Sequence, residues 1–117
     1  MLFPGDVESA GEGLVTSRFP PLAVSVLKVP HHGSATSSTE GLLRWANPGL
    51  AVFSLGAGNS YGFPHPAVVE RYRRLGIRTL RTDRDGSVGV WSDGSRLAVR
   101  PTSEAVPLLC AILGALC

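Results

Sequence analysis

The chain has 117 residues, of which 44% are hydrophobic and 17% are charged. This composition is typical of a folded globular protein and excludes an intrinsically disordered chain. The formal net charge of +2 is too small to identify a nucleic-acid-binding protein. Lys28 is the only lysine, and the many arginines suit either phosphate binding or a GC-rich genome. Two cysteines, Cys110 and Cys117, are too few for a four-ligand zinc site.

The chain opens with Met1 and LFPGD, without the basic start and long apolar segment of a signal peptide. Asp6 follows two apolar residues and a Pro-Gly pair. A Gly-Asp pair in a turn is more often structural than functional. Asp6 is therefore a candidate site residue only in combination with others.

An apolar run from Leu22 to Val29 predicts a buried strand that ends at Pro30. The adjacent histidines His31 and His32 follow directly, within the segment KVPHHGSATSS. Because alternate residues of a strand point to opposite faces, both rings reach one site only if the chain turns at Pro30.

The next segments alternate between helix and strand signals. Ser37 to Glu40 form a capping-box pattern, which predicts a short helix that ends at Asn47-Pro48-Gly49. LAVFSL, from Leu50, predicts a second buried strand. The glycines of GAGNSYG predict a loop held close to another group. His65 follows between two prolines, either as a contact to that group or as a loop histidine without a role.

Pro66 predicts the start of a further helix, AVVERYRRL. The predicted apolar face of this helix consists of Val68, Val69, Tyr72 and Leu75. IRTLRT then predicts a strand, DRDG a turn, and SVGVW and RLAV two more strands joined by SDGS. The order strand, helix, strand, helix, strand and meander predicts an α/β fold.

The whole ordered set resembles a known family. LFPGD, VLKVPHHGSATSS and GLLRWANPGLAVFSLGAGNSYGFPHPAVVERYRRLGIRTLRTDRDGSVGVW closely resemble the end of the metallo-β-lactamase-like domain of ComEC competence proteins. The resemblance covers residues 2–91. It implies that residues 1–100 are the second half of a metallo-β-lactamase-like αββα sandwich. Residues 101–117 are an apolar tail, shorter than the about 20 residues of a membrane span, which suits a buried terminal segment or a truncated span.

The resemblance also implies roles for individual residues. Asp6 matches a carboxylate that bridges two metal ions, and His32 matches the last histidine ligand. His31 then faces the substrate, although the reverse assignment of the two histidines is the alternative. His65, like His31, is implied as a proton donor or a phosphate contact.

Three implied substrate-binding residues lie in the same motifs. Ser34, with the hydroxyls of residues 36–38, is expected to donate hydrogen bonds to a phosphate at the helix start. Asn59 and Tyr61 match a loop beside the site, and Phe63 stands where the family pattern carries a histidine. Three arginines of the later helix contact either nucleic acid or solvent: Arg71, Arg73 and Arg74.

The implied function is that of a metal-dependent phosphodiesterase or nuclease domain of a DNA-uptake channel used in natural transformation. Such a domain holds two divalent metal ions, either manganese or zinc. The implied partners are DNA, the N-terminal half of the domain and the membrane channel of the parent protein. The parent is expected in the bacterial inner membrane, with this domain on the extracytoplasmic side.

The HxHxDH-type cluster of the fold does not occur in this sequence. We therefore expect the isolated chain to lack the first-site metal ligands, which leaves its activity alone in question. Two alternative functions stay open. The chain is either a stand-alone phosphoesterase of the same fold or a non-catalytic remnant that binds DNA or a partner.

Overall fold

The computed structural model describes residues 1–103 and the backbone of a short strand at 109–110. Its centre is a parallel sheet of three strands in the order β1-β2-β3. These strands are β1 (Val26–Lys28), β2 (Leu50–Phe53) and β3 (Arg78–Arg81). The connecting helices are α2 (Glu40–Ala46) and α3 (Pro66–Arg74), which confirms the predicted alternation of strands and helices.

Helix α2 begins two residues later than the capping-box pattern indicates. Its N-cap is Thr39, whose hydroxyl accepts a hydrogen bond from the amide of Leu42. The hydroxyl of Ser37 instead donates to the carbonyl of Pro30 at 2.9 Å. The prediction of a capping box at Ser37 is therefore wrong, because a tertiary contact occupies that hydroxyl.

No sequence pattern predicted the first helix, α1 (Ser9–Arg18). Gly11 and Gly13 lower its intrinsic helix propensity, and most of its side chains are exposed. A single side chain of α1, that of Glu12, is buried. Tertiary contacts through this residue, described below, fix the helix in place.

The two faces of the parallel sheet are covered by different layers. On one face Leu27, Ala51 and Phe53 pack against side chains of α2 and α3. On the other face Val26, Leu50 and Leu80 pack against Val99 of a second sheet. Consecutive side chains of β1 and β2 therefore point alternately into the two layers, as the geometry of a strand requires.

The second sheet is antiparallel and contains β4 (Val88–Ser92), β5 (Leu97–Pro101) and β6 (Leu109–Cys110). The predicted turn at 83–86 belongs to α4 (Thr82–Asp85), a single helical turn. Of the predicted apolar tail at 101–117, the structure describes 101–103 and β6, and the other residues lie outside the description. No helix within the described part of the chain is long and apolar enough to cross a membrane. The α/β class is confirmed, and the metallo-β-lactamase-like sandwich stays a prediction.

Candidate functional site

An open cavity of about 620 Å³ lies where the three parallel strands end. The carboxyl ends of parallel strands meet at one edge of a sheet, which makes that edge a usual place for binding sites in α/β folds. The cavity is lined by Asp6, His31, His32, Ser54, Leu55, Gly56, Asn59, Tyr61, Phe63 and Thr82. The structure thus brings together five of the seven predicted site residues.

Asp6 reaches the cavity because the first residues of the chain run beside β1. Leu2 pairs in parallel with Leu27, through the hydrogen bond from its own amide to the Val26 carbonyl. The carbonyl of Gly5 then accepts a hydrogen bond from the amide of His31 at 3.0 Å. These contacts place the Asp6 carboxylate opposite the two histidines.

The segment Pro30–Gly33, which we call the histidine turn, makes the reversal that the sequence required. His31 (φ 45°, ψ 40°) and His32 (φ 54°, ψ 21°) both adopt the left-handed conformation. This conformation costs roughly 1–2 kcal/mol for each residue that has a Cβ atom. Both imidazole rings line the cavity as a result, and strained backbone of this kind concentrates at functional sites.

The tautomer of neutral His32 is fixed by a backbone carbonyl. Its Nδ1 lies 2.6 Å from the carbonyl oxygen of Ser54, which can only accept a hydrogen bond. Nδ1 therefore carries the proton, and the lone pair of the neutral ring is on Nε2. That Nε2 lies 3.7 Å from Oδ1 of Asp6. A carboxylate oxygen and an imidazole lone pair thus face each other in the cavity.

A second histidine–carboxylate pair lies beside the first. Nδ1 of His31 is 3.4 Å from Oε1 of Glu8, and that oxygen also accepts a hydrogen bond from the Thr36 hydroxyl at 2.9 Å. The sequence analysis missed Glu8. Asp6 lies in a turn, so no strand periodicity connects it with Glu8.

The loop on the far side of the cavity is held by Asn59. Its side-chain amide donates to the carbonyls of Gly56 (3.1 Å) and Phe63 (2.7 Å) and accepts from the Phe63 amide at 3.0 Å. Asn59 lines the cavity as predicted, but its polar atoms are engaged within its own loop. Tyr61 is 78% exposed and stacks on Phe63 at the rim.

Thr82 is a second residue that sequence reasoning missed. Its hydroxyl donates to the carbonyl of Leu55 at 2.7 Å and accepts from the Leu55 amide at 2.8 Å. These two bonds join the end of β3 to the segment after β2. They hold Ser54, the residue that fixes the tautomer of His32.

The expected phosphate site at the start of α2 is corrected by the structure. The amides of Ser38 and Thr39 donate to the carboxylate of Glu12, at 2.6 and 2.8 Å. Ser34 is buried, bonds to Thr36 and does not line the cavity. An internal carboxylate therefore occupies the place at which an external phosphate was predicted.

His65 also lies outside the set of residues that line the cavity. It is the N-cap of α3, and its Nδ1 accepts a hydrogen bond from the amide of Ala67 at 3.2 Å. The three arginines of α3 have protein partners. Arg71 donates to the Ser38 carbonyl, Arg73 pairs with Glu70, and Arg74 pairs with Glu40.

Lys28 is the one lysine near this edge, at the end of β1. Partial burial lowers the pKa of its amino group, and the negative charge of Asp6 opposes that shift. Asp6 lines the cavity and Lys28 does not, but the two side chains lie within electrostatic range of each other.

The donor set fits part of a metal site. A histidine that binds a metal through Nε2 commonly donates its other ring N–H to a carbonyl, as His32 does to Ser54. Two ligands of one cation at about 2.0–2.2 Å lie roughly 3–3.6 Å apart, close to the 3.7 Å between Asp6 and His32. Within residues 1–103, however, no three metal-ligating side chains lie together. Asp6 and His32 are thus two candidate ligands among the described residues.

The chain is similar in sequence to three curated bacterial proteins. It is 40% identical over 87 residues to ComE operon protein 3 of Bacillus subtilis, and 39% identical over 89 residues to competence protein ComA of Neisseria gonorrhoeae. It is 35% identical over 100 residues to recombination protein 2 of Haemophilus influenzae. These matches cover 74%, 75% and 86% of this chain.

The chain is related to the competence proteins. It spans 11%, 13% and 12% of the length of these three relatives, so the similarity concerns one segment of much longer proteins. No family profile matches the chain. No solved structure gives a significant match. The predicted relation to ComEC competence proteins is supported, whereas the metallo-β-lactamase-like domain stays a prediction.

Proposed function

We propose that this chain is part of a metal-dependent phosphodiesterase that cleaves DNA during natural transformation. The observation that carries the proposal is the arrangement of His32. Ser54 holds the proton on Nδ1, and the Nε2 lone pair faces the carboxylate of Asp6. The similarity to competence proteins supplies the biological context. The activity is proposed for a complete site, to which this chain contributes two ligands.

Asp6 and His32 would hold a divalent cation, manganese or zinc, through Oδ1 and Nε2. When bound, such a cation polarises a phosphate oxygen and lowers the pKa of water. His31 lines the same cavity, with Nδ1 beside Glu8, and is the candidate for a contact to phosphate or a proton donor to the leaving oxygen. The two-ion site of the prediction needs further ligands from outside the described residues.

A titration of the purified chain with Mn²⁺ and Zn²⁺ tests this proposal. We expect saturable binding of one ion, weakened at least about tenfold in Asp6→Ala and in His32→Ala, because each removes one of two ligands. Asp93→Ala is the matched control, since Asp93 is an exposed aspartate of the β4–β5 turn. A folded chain that binds neither ion, or binds equally well in all variants, contradicts the proposed site.

A non-catalytic role in binding nucleic acid is the second candidate function. The observation that favours it is that no three side chains within residues 1–103 are grouped so that they could hold one metal ion. The same titration separates the two functions. Loss of metal binding in the Asp6 and His32 variants supports the phosphodiesterase site, and nucleic-acid binding without any metal binding supports the second candidate.

A further inference from the structure

Two aromatic side chains at the rim of the cavity are stacked on each other, of which Tyr61 is exposed to solvent and Phe63 is half-buried. The rings of Tyr61 and Phe63 have centroids 5.6 Å apart and planes inclined by 20°. Tyr61 is 78% exposed, whereas Tyr72 and Phe53 are fully buried. A large aromatic face left in water at a cavity indicates a surface for a ligand.

The aromatic pair is fixed in position before any ligand arrives. Phe63 packs its ring against His31 in an edge-to-face contact, with centroids 5.9 Å apart. Asn59 binds both the amide and the carbonyl of Phe63. Because the rings are already ordered, a ligand that stacks on them loses little binding energy to ordering the protein.

The proximity of the aromatic pair to Asp6 and His32 selects a nucleotide as the ligand. All four residues line one cavity, and a nucleotide is a flat aromatic base joined to a phosphate. A base in duplex DNA is already stacked and paired, so only an unpaired base can stack on a side chain. Aromatic residues also occur at protein interfaces. A protein partner, however, would not explain why a carboxylate and an imidazole line the same cavity.

We propose that Tyr61 and Phe63 form a base-stacking subsite that binds an unpaired nucleobase next to the phosphate in the cavity. This inference rests on the proposed function. It adds that an unpaired base of the substrate, stacked on the two rings, positions the substrate in the cavity. Stacking is tolerant of base identity, because every base has a π-face. The subsite therefore recognises single-stranded character and not sequence.

Binding of a labelled single-stranded oligonucleotide to the full chain tests the subsite. The measurement is fluorescence anisotropy at low salt in the presence of EDTA. We expect Tyr61→Leu and Phe63→Leu to weaken binding by roughly 5- to 100-fold, the range that alanine substitution gives for one stacked base. Phe19→Leu is the matched control, because Phe19 is an exposed aromatic residue at the end of α1.

An oligonucleotide with abasic sites at its central positions completes the test. It should bind the wild-type chain more weakly by a similar factor, and Tyr61→Leu should weaken its binding no further. A 2-aminopurine base at the same position should lose fluorescence on binding to wild type but not to Tyr61→Leu. Equal affinity for intact and abasic oligonucleotides overturns the inference. Failure of the chain to bind the intact oligonucleotide at about 0.1 mM, the weak limit for non-specific binding, also overturns it.

The absence of metal from this assay separates the inference from the proposed function. If the chain binds no metal but binds the intact oligonucleotide more tightly than the abasic one, it is a nucleic-acid-binding segment without a cation site. Successful metal titration with equal binding of intact and abasic oligonucleotides leaves the cation site and removes the stacking subsite.

Discussion

The carboxylate of Glu12 accepts a hydrogen bond from the backbone amide of Ser38 at 2.6 Å, 26 residues along the chain. Its second oxygen accepts from the amide of Thr39 at 2.8 Å. Glu12 is 1% exposed, so these bonds form away from water. Ser38 is further held by Arg71, which donates to its carbonyl at 2.7 Å, and by the hydroxyl of Tyr72. The segment between the histidine turn and α2 is therefore anchored by two helices.

Replacing Glu12 with glutamine should destabilise the fold. The amide of glutamine offers one acceptor oxygen, and its NH₂ group faces a backbone donor, so a buried N–H loses its partner. We expect the free energy of unfolding to fall by about 1–3 kcal/mol, measured by urea denaturation.

The control for this variant is Glu70→Gln. Glu70 pairs with Arg73 on the solvent-exposed surface of α3 and should leave the urea midpoint almost unchanged. Equal effects of the two substitutions would contradict the anchoring role of Glu12.

Gly33→Ala should be costly because of contacts and not only because of backbone conformation. A Cβ at Gly33 would lie 2.8 Å from Cβ of Pro64 and 2.9 Å from Cε1 of Phe53. Overpacking and the left-handed backbone together predict a loss of about 2–5 kcal/mol in the free energy of unfolding.

Gly58→Ala separates the cost of overpacking from the cost of the left-handed backbone in Gly33→Ala. Gly58 has a similar positive φ of 64°, but a Cβ at this position would have no atom within 4 Å apart from those of its chain neighbours. We expect a loss of about 1–2 kcal/mol, from backbone conformation alone. If urea denaturation gives the same loss for both variants, close packing of the histidine turn is not what requires glycine.

The tautomers of His32 and His65 should be opposite. His32 donates from Nδ1 to the Ser54 carbonyl, whereas Nδ1 of His65 accepts from the amide of Ala67. Long-range ¹H–¹⁵N correlation spectra of the neutral rings should show a protonated Nδ1 in His32 and a protonated Nε2 in His65. A protonated Nε2 in His32 would remove the lone pair on which the proposed metal site depends.

The Arg81–Asp83 ion pair predicts a loss of stability in acid. The hydrogen bond from Arg81 and its positive charge hold the pKa of Asp83 below its usual value, and both side chains are largely buried. A carboxyl group with a lower pKa in the folded state stabilises the fold above its unfolded pKa of about 3.9, and this contribution disappears as the pH falls below that value. The difference in melting temperature between wild type and Asp83→Asn should therefore shrink from pH 7 to acid. A constant difference over that range would mean that the pair contributes nothing through ionisation.

Much of the fold could be predicted from the sequence. The apolar strands, the helix start at Pro66 and the stop at Asn47 depend on residues close to each other in the chain, and the structure contains all three features. The grouping of Asp6, His31 and His32 was implied by the family resemblance, and the structure brings these residues together at the edge where the parallel strands end.

Two of the errors concern a residue whose partners are distant in sequence. Helix α1 and the occupied start of α2 both depend on Glu12, which no local pattern connects to Ser38. Ser34 has local hydrogen-bond partners, and its burial removes it from the cavity.

The sequence by itself determined the α/β class and the alternation of strands and helices from β1 to β3, since periodicity and turn chemistry are local properties. The candidate donors at the strand ends were implied by the family resemblance. Tertiary structure alone decided which nitrogen of His32 faces Asp6, because the carbonyl of Ser54 belongs to the segment after β2, 22 residues along the chain. It also decided that Tyr61 and Phe63 share a cavity with these ligands. Proton positions and shared cavities depend on contacts between distant segments, and those form only when the chain packs.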